Sequence, residues 1–219
     1  MKTELLVIMA RYPTYGKVKT RLATEIGKRQ ALAVYRALLA HHVREFGPAT
    51  GDVEWRYTPA RSPFRGLVER ASRPFTLGAN GRDARSTITA RPQPTGDLGE
   101  RMERIFADAF ARGYRRVVMI GTDAPEMNRG TVRRAWRLLR AHDVVLQPAE
   151  DGGYALLGLR RLVPVFAGIP WSTARVLSRT RARLRRLGVR HAELPMTYDI
   201  DTATDLRRWA GRPVRRVPG

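Results

Sequence analysis

The stretch Val117-Val118-Met119-Ile120-Gly121-Thr122-Asp123-Ala124-Pro125 constrains the chain more than any other. An apolar run stops abruptly on a glycine, a carboxylate and a proline. A run this short and this apolar predicts a buried strand, of the kind that parallel sheets cover with helices on both faces. Asp123 then falls just past the strand's carboxyl end, where open α/β sheets collect their ligands. A carboxylate there is placed to hold a divalent cation against phosphate oxygens. The same Asp-x-Pro spacing also suits a plain turn.

The rest of the chain repeats the alternation. Leu5–Met9 predicts a first strand and residues 10–19 a polar loop. Helix-spaced apolar positions over 28–46 end at Gly47-Pro48, a clean stop. A strand over 52–58, a short helix over 64–71 and a long irregular loop over 72–96 follow. Beyond them the pattern predicts helix 98–112, strand 115–120, helix 129–141, strand 143–147 and strand 154–157. An Arg-rich helix over 173–187, a strand over 189–194 and a last helix over 203–209 complete the pattern. Strands separated by helices predict a single α/β domain with a mainly parallel central sheet. Right-handed crossovers would bring residues 10–21, 121–125 and 148–153 to one sheet edge. The domain is expected over 1–210, with 211–219 a basic tail.

Four segments carry chemistry. The loop Arg11-Tyr12-Pro13-Thr14-Tyr15-Gly16-Lys17-Val18-Lys19-Thr20-Arg21 combines cations with a glycine and a threonine, the makings of a phosphate cradle. A helix starting near Thr20 would add free N–H groups. Asp97 and Glu100 form a capping box at the start of the helix over 98–112. Arg101 in that first turn opposes the helix dipole unless an anion lies nearby. Glu150-Asp151-Gly152-Gly153-Tyr154 reads as a hairpin turn or as backbone that approaches a ligand closely. Ser172 and Thr173 read as helix caps, and Trp171 as a surface for a base or sugar. Finally, Asp199 and Asp201 lie two apart on an extended segment, hence on one side of it. Like charges so close need a cation to join them, so a metal or polyphosphate is the expected neighbour. Thr202 and Asp205 read as a second capping box.

Composition narrows the classes. Cysteine is absent, which excludes disulfides and thiolate metal sites. The apolar stretch Leu5–Ala10 is too short for a signal peptide or membrane span, so a soluble, cytoplasmic protein is expected. The net charge of +21 invites a nucleic-acid reading. Against it, only Lys2, Lys17, Lys19 and Lys28 are lysines, the arginines are scattered through helices, and no nucleic-acid-binding signature is visible. The charge better suits steering of a small anionic substrate. Histidines 41, 42, 142 and 191 show no ligand spacing, and no Ser-His-Asp arrangement is evident.

Taken in order, RYPTYGKVKTRLA, GDLGERM, IGTDAP, PAEDGGYALLGL, WST and DIDTATDL resemble a bacterial family of small nucleotide-diphospho-sugar transferases. The family is described as radical SAM-associated or arsenosugar-type glycosyltransferases, and is similar to phospholactate guanylyltransferases. The resemblance spans roughly residues 4 to 206 and departs at Arg11-Tyr12, where a lysine and a small residue are expected. It implies a single three-layer GT-A fold. It further implies that Lys17, Lys19 and Arg21 hold nucleotide phosphates and that Asp123 binds Mg²⁺ or Mn²⁺ with Asp201 or Asp199. By the same resemblance, Asp151, Gly152 and Gly153 lie beside the acceptor, with Tyr154 and Trp171 close by.

Two reactions fit. The first, which the family's usual description favours and which is the reading expected here, moves a sugar from a nucleoside diphosphate sugar to a small acceptor. The alternative joins a nucleoside triphosphate to a phosphorylated small acid and releases pyrophosphate. The partners expected are therefore a nucleotide or nucleotide sugar and a small acceptor, with a homodimer left open and nucleic acid an outside alternative.

Overall fold

The computed structural model describes residues 3–47, 50–72 and 87–211. Its elements are β1 (Glu4–Arg11), α1 (Thr20–Ile26), α2 (Lys28–Glu45), β2 (Asp52–Thr58), α3 (Phe64–Ser72), β3 (Ile88–Pro92) and α4 (Leu98–Ala111). There follow β4 (Arg116–Ile120), α5 (Arg129–Leu138), β5 (Val144–Pro148), β6 (Tyr154–Leu159), α6 (Val176–Arg186), β7 (His191–Glu193) and α7 (Ala203–Ala210). The strands form one sheet in the order β3-β2-β1-β4-β6-β5-β7. Neighbours pair in parallel throughout, except that β6 runs antiparallel to both β4 and β5.

The two-residue period of the strands decides the layers. On β1, Leu6, Ile8 and Ala10 face a core closed by Tyr35, Leu39 and Val43 of α2 and by Val132 and Trp136 of α5. Leu5 and Val7 face the opposite core, closed by Ile105 and Phe106 of α4 and by Leu177 and Leu184 of α6. Helices on both faces make the sheet the middle of three layers, and β1 and β4 read as unbroken apolar runs because both of their faces are buried. A third cluster, Leu22, Ala31, Leu38, Tyr198 and Ile200, packs the α1–α2 corner against the segment before α7.

Three local expectations need correction. The loop expected over 72–96 contains β3, an edge strand whose apolar positions are only Ile88 and Ala90 and which ends on Pro92. Short, half-polar strands with proline are how edges avoid further pairing, and they lack a core strand's pattern. Residues 73–86 of that stretch lie outside the described residues, as do Pro48 and the tail from 212 onward. The helix expected from 173 begins at Val176, and Arg175 caps it without a side-chain hydrogen bond. Thr173 is therefore no helix cap: its hydroxyl donates to the Pro170 carbonyl at 2.7 Å, and Ser172 adopts a left-handed φ of 63°. The expected capping boxes at Asp97/Glu100 and Thr202/Asp205 are both formed. Among the described residues no helix is long and apolar enough to cross a membrane.

Candidate active site

Parallel strands deliver their following loops to one edge, and here the loops after β1 and β4, the β5–β6 hairpin and residues 195–202 converge there. Tyr35 of α2 ties the first two together. Its hydroxyl accepts the Arg11 N–H at 2.9 Å, donates to the Arg11 carbonyl at 2.9 Å and lies 3.4 Å from the Thr122 hydroxyl. Burial pushes the Tyr35 phenol up to about 12, so it stays a neutral clip between the ends of β1 and β4. The Ile200 N–H donates to the Asp123 carbonyl at 3.1 Å, which brings the late acidic segment alongside. Because Tyr198 and Ile200 are buried in the third cluster, alternation leaves Asp199 and Asp201 on the site side.

Lys19 is the hub. It ends the first loop in a left-handed conformation, φ 48° and ψ 48°, which costs a non-glycine residue strain. Its side chain is only 4% exposed, and its ammonium lies 2.5 Å from Asp123 and 3.4 Å from Asp201. Burial alone would lower the Lys19 pKa, but Asp123, Asp201 and Asp199 outweigh it, so the pKa rises and the charge stays. Arg21, well exposed, reaches Asp201 at 3.5 Å. Asp199 carries an oxygen sealed from solvent and without a hydrogen-bond partner. Burial, then repulsion from Asp123, raises its carboxyl to about 7 against the pull of Lys19.

Two clefts open from this cluster. The first, about 420 Å³, is basic: Arg11, Lys17, Lys19, Thr20, Arg21 and Arg101 line it. Arg101 is oriented there by Gln93, whose side-chain oxygen accepts from it at 2.7 Å. Gln93 in turn donates to the carbonyls of Ala10 and Arg56. The second cleft, about 580 Å³, has walls of Met9, Met102, Met119, Leu157 and Trp171 with Asp151 and Asp199 among them. Met9, Leu98, Arg21, Asp123 and Asp201 belong to both clefts. Trp171 sits edge-on to Tyr154, with ring centroids 6.4 Å apart, and against Gly99, where a Cβ would overlap its indole.

The expected site residues are thus mostly brought together. Arg11, Lys17, Lys19, Thr20, Arg21 and Arg101 meet in the basic cleft, and Asp151, Gly153, Tyr154 and Trp171 in the other. Two other expected residues line neither cleft. Gly16 lines neither cleft; its φ of 68° serves the turn of the loop. Gly152 lines neither, and is required because a Cβ would overlap the Ala174 carbonyl. Its own carbonyl accepts the Leu177 N–H at 2.8 Å and fixes the start of α6 over the hairpin. The residues missed are Tyr35, Gln93 and Gly99. Tyr35 shares the spacing of a core residue on α2, Gln93 falls in the loop expected over 72–96, and only Gly99 lies within a quoted motif, GDLGERM.

Among the described residues no three carboxylates or imidazoles close on one point tightly enough to hold a metal alone. Mg²⁺ asks for less, binding through one or two carboxylates plus phosphates and water. The orphaned Asp199 oxygen and the ammonium held between Asp123 and Asp201 mark a place built for positive charge, so the residues fit a divalent ion.

Residues 69–173 match the family model described as "Uncharacterized protein conserved in bacteria (DUF2064)". The 3-phospho-D-glycerate guanylyltransferase of Phenylobacterium zucineum (strain HLK1) is 28% identical over 205 residues, which are 90% of this chain and 86% of that protein. A crystal structure from Desulfovibrio desulfuricans G20, with the provisional description nucleotide-diphospho-sugar transferase, is 32% identical with a TM-score of 0.81. The match covers 99% of this chain and 91% of that one. A cytidylyltransferase from Leptospira borgpetersenii serovar Hardjo-bovis (strain JB197) shares the fold, with a TM-score of 0.52 at 11% identity over 94% of this chain and 84% of that one. The guanylyltransferase backs the second of the two reactions raised by the sequence rather than the first. The chain belongs to the bacterial DUF2064 family, within the fold of nucleotidyl- and nucleotide-sugar transferases.

Proposed function

We propose that the chain is a nucleotidyltransferase: it binds a nucleoside triphosphate in the basic cleft and a phosphorylated acceptor in the second cleft, and joins the two. The observation that carries this reading is the shared border, where Arg21, Asp123 and Asp201 belong to both clefts and the Lys19 ammonium lies beneath them. A group crossing from one cleft to the other must cross there. Arg11, Lys17, Lys19, Arg21 and Arg101 offer a polyphosphate several cations in one groove. The guanylyltransferase relative supports the choice of nucleotidyl over sugar transfer.

In this reading an oxygen of the acceptor phosphate attacks the α-phosphorus. The bond from that phosphorus to the α–β bridging oxygen breaks, and pyrophosphate leaves with the electron pair. Little covalent chemistry is asked of the protein, so its work is positioning and charge stabilisation. Arg21 holds both reactants at the border. Lys19 is pre-set by its strained backbone to face incoming phosphate oxygens. Arg101, oriented by Gln93, and Lys17 grip the β- and γ-phosphates. Asp123 with Asp201 or Asp199 would hold Mg²⁺ or Mn²⁺, which when bound supplies Lewis-acid neutralisation of charge on the phosphates.

The test is the leaving group. The chain is incubated with Mg²⁺ or Mn²⁺, each nucleoside triphosphate and a set of phosphate monoesters, both of small acids and of uncharged sugars and rings, and in parallel with nucleoside diphosphate sugars. Pyrophosphate release from a triphosphate is the expected result, lost in Asp123→Asn. Nucleoside diphosphate release from a sugar nucleotide, without any pyrophosphate, would overturn the proposal in favour of sugar transfer.

A further inference from the structure

The second cleft has a chemistry of its own. At about 580 Å³ it falls within the range of clefts that enclose whole drug-sized ligands, so a three-carbon acid would leave much of it to solvent. One wall is Met9, Met102, Met119 and Leu157, and thioethers are deformable and polarisable partners for an apolar surface. Trp171 adds a flat indole that is held rather than free, seated on Gly99 and edge-on to Tyr154. An apolar ligand face gains from such a platform at little ordering cost.

The charges point the same way. Among the described residues that line this cleft, Arg21 is the only cation, and it stands at the border with the nucleotide cleft. Beyond it the ionisable groups are carboxylates, Asp151 and Asp199. Asp151 Oδ1 accepts the Gly153 N–H at 2.8 Å, which fixes the carboxylate at the hairpin. A second anionic group on the acceptor would be repelled by Asp151, which no cation lining the cleft beyond Arg21 offsets, whereas Asp199 lies under the pull of Lys19 and adds less. Hydroxyl groups would instead donate to them, and the exposed Ser172 and Thr173 lie on the same rim.

We infer that this cleft takes a phosphate monoester with no second anionic group, whose uncharged body exceeds three carbons and presents an apolar face to Trp171. The inference rests on the nucleotidyltransferase reading for the role of the phosphate, and it separates this chain from an enzyme for phosphoglycerate. A hydroxylated ring and a purely aromatic body share the required chemistry.

The full chain, with Mg²⁺ and a non-hydrolysable nucleoside triphosphate, is titrated calorimetrically with D-3-phosphoglycerate, α-D-glucose 1-phosphate and phenyl phosphate. At least one ring ester is expected to bind roughly ten-fold or more tightly than phosphoglycerate, about 1.4 kcal/mol. Preference for the glucose ester would identify a hydroxylated body, and preference for the phenyl ester an aromatic one. Trp171→Ala should weaken the ring ester alone, Trp171→Phe should restore it, and Asp151→Arg should strengthen phosphoglycerate at least ten-fold. Equal or tighter binding of phosphoglycerate by the wild type, or binding of none of the three, would overturn the inference. Pyrophosphate release with hydrolysable triphosphates is scored alongside. Its absence with every acceptor rejects the nucleotidyltransferase reading while the order of binding still stands; release fastest with phosphoglycerate rejects the inference alone.

Discussion

Lys19 and Asp123 illustrate what single residues in this chain disclose. A carboxylate just past an apolar run and a lysine in a basic loop are legible because their types are costly in those positions without a purpose. Tyr35 is not legible, since a tyrosine at helical spacing looks like core until its hydroxyl is found between Arg11 and Thr122. Two predictions belong at this scale. Arg21→Ala should weaken nucleoside triphosphate binding by about 1.5–3 kcal/mol, the usual loss for a charge-assisted contact, while Arg137→Ala on the exposed face of α5 should leave it unchanged. Equal losses in a titration at fixed salt would mean that diffuse charge, rather than the cleft, binds the nucleotide. His42, fully buried, shares a hydrogen bond of 2.9 Å between its Nδ1 and the Leu38 carbonyl, and its Nε2 has no partner. Burial holds its pKa at about 4, below the ordinary 6.5. Between those values the unfolded chain takes up a proton that the native state refuses, so stability falls as pH drops through that window. The loss is about 1.4 kcal/mol per pH unit. His42→Leu should therefore show a shallower loss than wild type between pH 7 and 4.5 in urea unfolding; parallel slopes would contradict the assignment.

Among the elements, β1, β4 and β5 were readable because burial on both faces leaves a continuous apolar run. The edge strand β3 was not, since half of it is polar, and neither was the reversal of β6. The Gly152-Gly153 pair allowed a hairpin, but only the pairing of β6 with both β4 and β5 reveals its direction. The start of α6 departs from the expectation because Thr173, whose hydroxyl suits a cap, turns it back to the Pro170 carbonyl, and Ser172 takes a left-handed backbone. One stabilising network was equally hidden. Glu54, in the middle of β2 and 1% exposed, lies 2.5 Å from Arg56 and 2.8 Å from Arg112. Arg56 also meets Asp108 of α4 at 2.6 Å, which bolts that helix to the sheet. Glu54→Gln leaves two arginines short of a counter-charge and should destabilise the fold by about 3 kcal/mol. The change is read from the urea midpoint, and a shift worth less than 1 kcal/mol would show that the network contributes little. Gly99→Ala, by displacing Trp171, should raise the acceptor KM several-fold with little effect on nucleotide affinity. A fall in nucleotide affinity alone would contradict the division of labour between the clefts.

For the whole molecule, the net charge of +21 supplies a field that draws polyanions in, whereas the proposed reaction is assigned to the border between two clefts. The central claim is that the acceptor phosphate attacks the α-phosphorus directly across that border. No cysteine exists in the chain, and His42 is buried in a helix beneath the sheet, so neither is offered as a covalent nucleophile there. The most direct measurement is the stereochemical course of the reaction with a nucleoside 5′-(α-thio)triphosphate of a single configuration, followed by phosphorus NMR of the product. A single in-line displacement predicts inversion at the α-phosphorus with pyrophosphate released. Retention would mean two displacements through a covalent enzyme intermediate and would contradict the account.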